Sequence, residues 1–348
     1  MTTQLSSMEN KTIRWYQEES CNEVLKSLQE GAKRILIELP TGAGKTFTSK
    51  IIFAHQEIRK QLNIAENRPL RLLFVASKNR LLDQAENEYQ NQTNITFIRQ
   101  SAFKEIPEEV LQFGWDIACI DEAHHEAMMS IQHRLEKMKD KPIIGLTATP
   151  DRADGHLIKF ENIIAPITRS EAVKEGYLAE TAIHTIIDTS GVNKTNLIID
   201  VINEFHADMQ QTLIFLRTKN EVRNIQKHLE QMNLKSVALI DQSDKEMNDI
   251  LDDFDHKKIQ FIVNCDRINE GVDLKGCTDV FLGRTFKSYP QINQAIGRAA
   301  RPDSGCNVWQ LANPLKDNLD TSAVVGDAIS HRLLFKKNNQ WNIKFFGK

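Results

Sequence analysis

The sequence predicts an α/β protein made of two tandem, doubly wound parallel-sheet domains. Three observations predict it. Short apolar, β-branched runs alternate with helix-length segments, and this alternation occurs twice along the chain. The first strand–helix junction carries a glycine-rich loop, Leu39-Pro40-Thr41-Gly42-Ala43-Gly44-Lys45-Thr46. The length, 348 residues, suits two domains of ordinary size.

In the first half, strands are expected at 34–39, 71–76, 95–99, 117–120 and 142–146. Helices are expected between them at 18–30, 45–61, 79–91 and 128–139. Strands separated by helices must pair in parallel, because each return crosses a face of the sheet. Residues 149–155, with Pro150 and Gly155, break the pattern. Residues 170–178 read as a helix closed by Gly176. The second alternation predicts strands at 212–216, 236–240, 260–264, 279–283 and 308–311. Its helices are expected at 221–232, 245–254 and 289–299. This places a first domain at 1–165, a bridging segment at 166–200 and a second domain at 201–348.

Composition narrows the class. The chain is 41% hydrophobic and 26% charged, ordinary for a soluble globular protein. It has no apolar run of the roughly 18 residues that a membrane helix needs. The N-terminus is polar and lacks a secretory apolar core. Five scattered cysteines without a Cys-x-x-Cys pair argue against a zinc or iron–sulfur site and fit a reducing cytoplasm. The net charge of −3 points to modest, salt-sensitive binding of any nucleic acid, or to help from an accessory protein.

The glycine-rich loop has the chemistry of a phosphate cradle. Gly42 and Gly44 reach backbone angles closed to other residues, so the N–H groups from Thr41 through Ala43 to Thr46 can turn toward an anion. The following helix presents its positive N-terminus. Lys45 would reach the β- and γ-phosphates, and the Thr46 hydroxyl would hold Mg²⁺. Leu39 stands where the general pattern has Gly.

Asp121 and Glu122 follow the apolar run 117–120, at the strand end where open α/β sheets bind ligands. Asp121 would bind the metal through water, and Glu122 would orient and deprotonate an attacking water. Asp-Glu-Ala-His at 121–124, Thr-Ala-Thr at 147–149 and Gln-Ala-Ile-Gly-Arg-Ala-Ala-Arg at 294–301 then follow the loop in order.

With these motifs the chain resembles a superfamily 2 helicase of the Asp-Glu-Ala-His type. Within it, the chain is most similar to bacterial and phage DNA translocases related to RadD and UvsW and to restriction-enzyme motor subunits, from about residue 14 to 313. The resemblance implies two RecA-like lobes with the ATP site in the cleft between them. It implies that Arg298 and Arg301 act as arginine fingers, with Gln294 at the family spacing before them. Gly271 and Asp273 match the segment that contacts nucleotide ribose. Cys265 stands where the family often has Thr, with Asn264 beside it as a substitute phosphate contact. Arg14 and Gln17, in Arg-Trp-Tyr-Gln, match the segment that reads adenine. His124, Thr147 and Thr149 couple the ATP site to the nucleic acid. Strand contacts fall at Ser77, Lys78, Gln100, Ser101, Arg217 and Thr218.

The function implied is an ATP- and Mg²⁺-dependent DNA helicase or translocase. An RNA helicase, or a motor-derived scaffold that binds nucleic acid and recruits partners, is the alternative. The tail 331–348 is basic and aromatic with no acidic residue. It reads either as a terminal hairpin packed on the second domain or as a single-strand binder. His124-His125 suggests a metal, but no third ligand accompanies it.

Overall fold

The computed structural model describes residues 12–123, 141–148, 160–187, 193–265, 268, 274, 276–284, 305–312, 330–337 and 340–347. The chain divides into two compact units, Met1–Pro40 with Gly44–Thr168 and Thr41–Ala43 with Arg169–Lys348, each built on its own sheet.

The first unit contains α1 (Trp15–Gln29), β1 (Arg34–Glu38), α2 (Lys45–Ala54), α3 (Gln56–Gln61), β2 (Leu70–Ala76), α4 (Asn79–Tyr89), β3 (Ile95–Ser101), α5 (Glu108–Phe113), β4 (Ile117–Ile120), β5 (Ile143–Thr147) and β6 (Asn162–Ile164). Its strands run in the order β3-β2-β4-β5-β1-β6, all parallel. The apolar centres of β1, β4 and β5 are buried, as strands covered on both faces must be. The expected helix 45–61 is two helices, because His55 is extended (φ −71°, ψ 127°) and serves as cap to both. The expected helix 128–139 lies outside the described residues.

Gly145, in β5, carries a close approach. A Cβ there would lie 2.6 Å from Phe160 Cζ, 2.9 Å from Leu36 Cδ1 and 3.0 Å from Ala123 Cβ. Gly145→Ala should therefore cost about 1–3 kcal/mol by overpacking. Urea unfolding checks this; an unchanged midpoint would show that the layer has slack.

The second unit contains α6 (Arg169–Lys174), β7 (Thr181–Ile187), α7 (Lys194–Phe205), β8 (Thr212–Phe215), α8 (Lys219–Gln231), β9 (Ser236–Leu239), α9 (Asp244–Asp255), β10 (Phe261–Asn264), β11 (Asp279–Leu282), β12 (Cys306–Ala312), β13 (Ser330–Lys337) and β14 (Gln340–Gly347). The strand order is β14-β13-β7-β12-β11-β8-β10-β9. All neighbours are parallel except the terminal hairpin β13–β14. Helix α6 stops at Lys174 and is followed two residues on by Gly176, whose φ of +74° is the left-handed turn expected there. The stretch 166–200 contains β7, which pairs with β12 and β13 inside the second sheet. The expected helix 289–299 lies outside the described residues.

The basic, aromatic tail is the packed hairpin. Leu334 is buried in the α7 core cluster, Trp341 meets Phe205 edge-on at 5.4 Å, and Lys336 pairs with Asp200 at 2.8 Å.

His184, in β7, is buried and stacks on Trp309 at 4.1 Å. Burial, more than the nearby Arg332 charge, holds its pKa below the ordinary value, against a smaller upward pull from Asn307. The fold thus favours neutral His184. The unfolded chain binds its proton first, so this stability is present above the ordinary imidazole pKa of about 6.5 and is lost as pH falls. We expect the urea midpoint to drop between about pH 7 and pH 5, and His184→Phe to flatten that slope while keeping the stack. An identical slope in His184→Phe would remove His184 from the pH response.

Candidate nucleotide site and strand-facing loops

The loop after β1 forms the floor of the site. Leu39 N–H donates to the Thr147 carbonyl at 2.9 Å, extending the β1–β5 register beyond Glu38. Gly42 and Gly44 then take φ +88° and +85°, left-handed values that a side chain rarely tolerates. Gly44 is constrained twice, since a Cβ there would approach Gln17 Nε2 to 3.1 Å. It also caps α2, its carbonyl accepting from Thr48 N–H and Thr48 Oγ1. Lys45 and Thr46 are therefore the first two residues of a helix whose open N–H groups face the sheet's C-terminal edge.

The carboxylates leave β4. Asp121 N–H donates to the Val75 carbonyl, which holds Asp121 at the edge, 7% exposed. The Glu122 N–H donates to Asp121 Oδ1 at 3.0 Å. Glu122 has φ +51°, a strained conformation for a residue with a side chain. Ala123 N–H, donating to the Leu146 carbonyl at 2.8 Å, locks the turn against β5. Only β5 separates β4 from β1, so the two loops leave the sheet about 10 Å apart at the usual strand spacing. Side chains close that gap: Lys45 Nζ lies 3.4 Å from Glu122 Oε1, and the two side chains are 11% and 14% exposed. Thr147, from the intervening strand, is fully buried.

Arg14 and Gln17 stand at the start of α1. The Gln17 side-chain carbonyl accepts from Arg14 N–H at 3.0 Å, and Arg14 donates through Nη1 to the Tyr16 hydroxyl at 2.9 Å. Gln17 is buried beside Gly44. Sequence reading missed the brace behind the loop, where Ser49 Oγ and Tyr89 Oη lie 2.8 Å apart and tie α2 to α4. Burial pushes the thiols of Cys21, Cys119, Cys277 and Cys306 up, Cys21 and Cys306 to about 12, so they remain un-ionised packing groups.

The loops expected to contact a nucleic-acid strand have a common plan. Ser77 and Lys78 link β2 to α4, and Arg217 and Thr218 link β8 to α8. Thr218 Oγ1 accepts from Glu221 N–H, and Glu221 Oε2 accepts from the Arg217 and Thr218 N–H groups. The Thr218 hydroxyl keeps its own proton to donate. Ser101 ends β3, next to β2. Gln100 differs from the expectation of a strand contact. It is 3% exposed, and its Nε2 donates to the carbonyls of Ser101 and Lys104, both at 2.8 Å, so it shapes the loop from inside. Asn264 is likewise fully buried. Its amide donates to the Ile214 carbonyl and its oxygen accepts from Ile268 N–H, which excludes a phosphate contact. Cys265 Sγ donates to the Arg217 carbonyl at 3.1 Å. His124, Thr149, Gly271, Asp273, Gln294, Arg298 and Arg301 lie outside the described residues.

Two family models match the chain. "Type III restriction enzyme, res subunit" matches residues 10–105, and "Helicase conserved C-terminal domain" matches residues 193–303. The EcoAI endonuclease subunit of a type I restriction enzyme from Escherichia coli is 24% identical over 374 residues, covering 84% of this chain and 44% of its own length. The structure of the ATP-dependent type ISP restriction-modification enzyme LlaBIII bound to DNA matches with TM-score 0.66 and 16% identity, over 89% of this chain and 28% of that one. Mss116p bound to single-stranded RNA and AMP-PNP matches with TM-score 0.69 and 14% identity, over 96% of this chain and 76% of that one. The chain spans about half the length of the curated relatives it matches. Both sheets have the RecA-like α/β fold.

Proposed function

We propose, from the premise that the chain carries both halves of a superfamily 2 helicase, that it is an ATP hydrolase that moves along or remodels DNA. The 3.4 Å approach of Lys45 to Glu122 carries this reading, because it joins a phosphate-loop cation and a candidate base at one sheet edge. The residues fit the substrate. The left-handed glycines free the loop N–H groups for phosphate oxygens, and Lys45 can exchange Glu122 for a phosphate. That exchange would release the Glu122 carboxylate to orient and deprotonate water. Thr46 and Asp121 would hold Mg²⁺, which when bound neutralises phosphate charge. Arg14 and Gln17 would recognise the base. Gly271 and Asp273 would meet the ribose.

Gln294, Arg298 and Arg301 lie within the span matched by the helicase C-terminal model, and we assign the two arginines to the γ-phosphate charge. His124, Thr147 and Thr149 would transmit its state. Ser77, Lys78, Ser101, Arg217 and Thr218 would hold one strand by its phosphates, leaving sequence unread. The finer assignment is the Asp-Glu-Ala-His type and the branch of RadD, UvsW and restriction-enzyme motors. The EcoAI likeness supports DNA as the track.

The test is ATP hydrolysis measured with single-stranded, duplex and forked DNA and with RNA. Stimulation by DNA is the expected result. Stimulation by RNA alone would reassign the track, and no stimulation by any of them would overturn the motor reading.

A further inference from the structure

The loop after β3 carries an exposed aromatic ring on a braced backbone. Phe103 is 68% exposed. The backbone around it is pinned on both sides. Ala102, fully buried, donates its N–H to the Ala76 carbonyl at 2.9 Å. Phe103 N–H donates to Ser101 Oγ at 3.4 Å, and Lys104 N–H donates to the Ser101 carbonyl at 3.2 Å. The buried Gln100 amide bridges the carbonyls of Ser101 and Lys104, and Ile106 anchors the exit. The ring thus projects from a loop whose backbone has little ordering entropy left to lose on binding.

Its location places the ring beside the loop that follows β2. Ala76 pairs with Ser101 across β2 and β3, so Phe103 leaves the same sheet edge as Ser77 and Lys78, one strand spacing away. Lys78 and Lys104 are exposed there, with the exposed carboxylate of Glu105 next to Lys104. Cations beside an exposed ring suit a chain of phosphates carrying unpaired bases. Phe113, similarly exposed at 70%, is different: it precedes β4 at the opposite edge, and the Arg71 guanidinium lies over its ring at 5.7 Å.

We propose that Phe103 is a stacking platform for an unpaired base on the strand held by the first unit. The proposal rests on the nucleic-acid motor reading and adds a contact to bases where the other loops offer contacts to phosphates. Stacking tolerates any base, so the platform would grip without reading sequence.

The test compares oligothymidylate with an abasic strand of equal length, each titrated into the full chain over a range of salt. Wild type should prefer the base-bearing strand. Phe103→Ala should weaken oligothymidylate on the order of 5- to 100-fold, leave the abasic strand unaffected and keep the salt slope, since no cation is lost. Phe103→Trp should restore the preference. Equal weakening of both strands, or of neither, by Phe103→Ala overturns the platform alone. Wild type binding neither strand, with ATP hydrolysis unstimulated, overturns the motor reading together with the platform.

Discussion

Glu122→Gln should lower ATP turnover by about 10²–10⁴, the usual contribution of a positioned general base. The substitution is nearly isosteric. It keeps a side chain at the left-handed φ of +51°, so the turn locked by Ala123 has no reason to change. It removes the carboxylate that can take a proton and the charge that faces Lys45 at 3.4 Å. Nucleotide affinity should therefore survive or rise, because Lys45 no longer exchanges an anionic neighbour for phosphate. Phosphate release at saturating ATP and nucleic acid measures the first effect, and displacement of a fluorescent nucleotide measures the second. Turnover within a few-fold of wild type would remove Glu122 from the role of base.

What the sequence makes legible is chemistry carried by neighbouring residues. The phosphate loop is readable because Gly42 and Gly44 sit where the left-handed turns occur, and the carboxylates because they end an apolar strand. The six-stranded sheet is visible in outline, but β6, three residues long, has no periodicity to detect. Strand β7 lies inside a stretch that reads as a bridge. Its place depends on pairing with β12 and β13, more than a hundred residues away. Gln100 shows the other limit. Its amide suits a strand contact, yet it sits at a buried position of β3, and its partners are local carbonyls. Phe103 gives no sequence signal, since an isolated Phe in a polar loop is ordinarily core. Only the folded loop, braced at its backbone, shows that the ring lies outside.

Lys45→Ala should abolish turnover and weaken nucleotide binding, and it should also cost stability. The catalytic loss follows because Lys45 is proposed to hold both the β- and γ-phosphates, in the ground state and the transition state alike. The stability loss follows from the pair. With both side chains almost covered, removing the ammonium leaves the Glu122 charge poorly solvated, a cost on the order of 1–3 kcal/mol. The double variant separates the two effects. In Glu122→Gln the charge is already gone, so adding Lys45→Ala should cost little more stability, a coupling of about 0.5–3 kcal/mol in a double-mutant cycle. Turnover should be equally non-additive, because residues that act as one unit fail together. Additive unfolding free energies would mean that the ion pair does not form in solution, and that Lys45 and Glu122 meet only through the nucleotide.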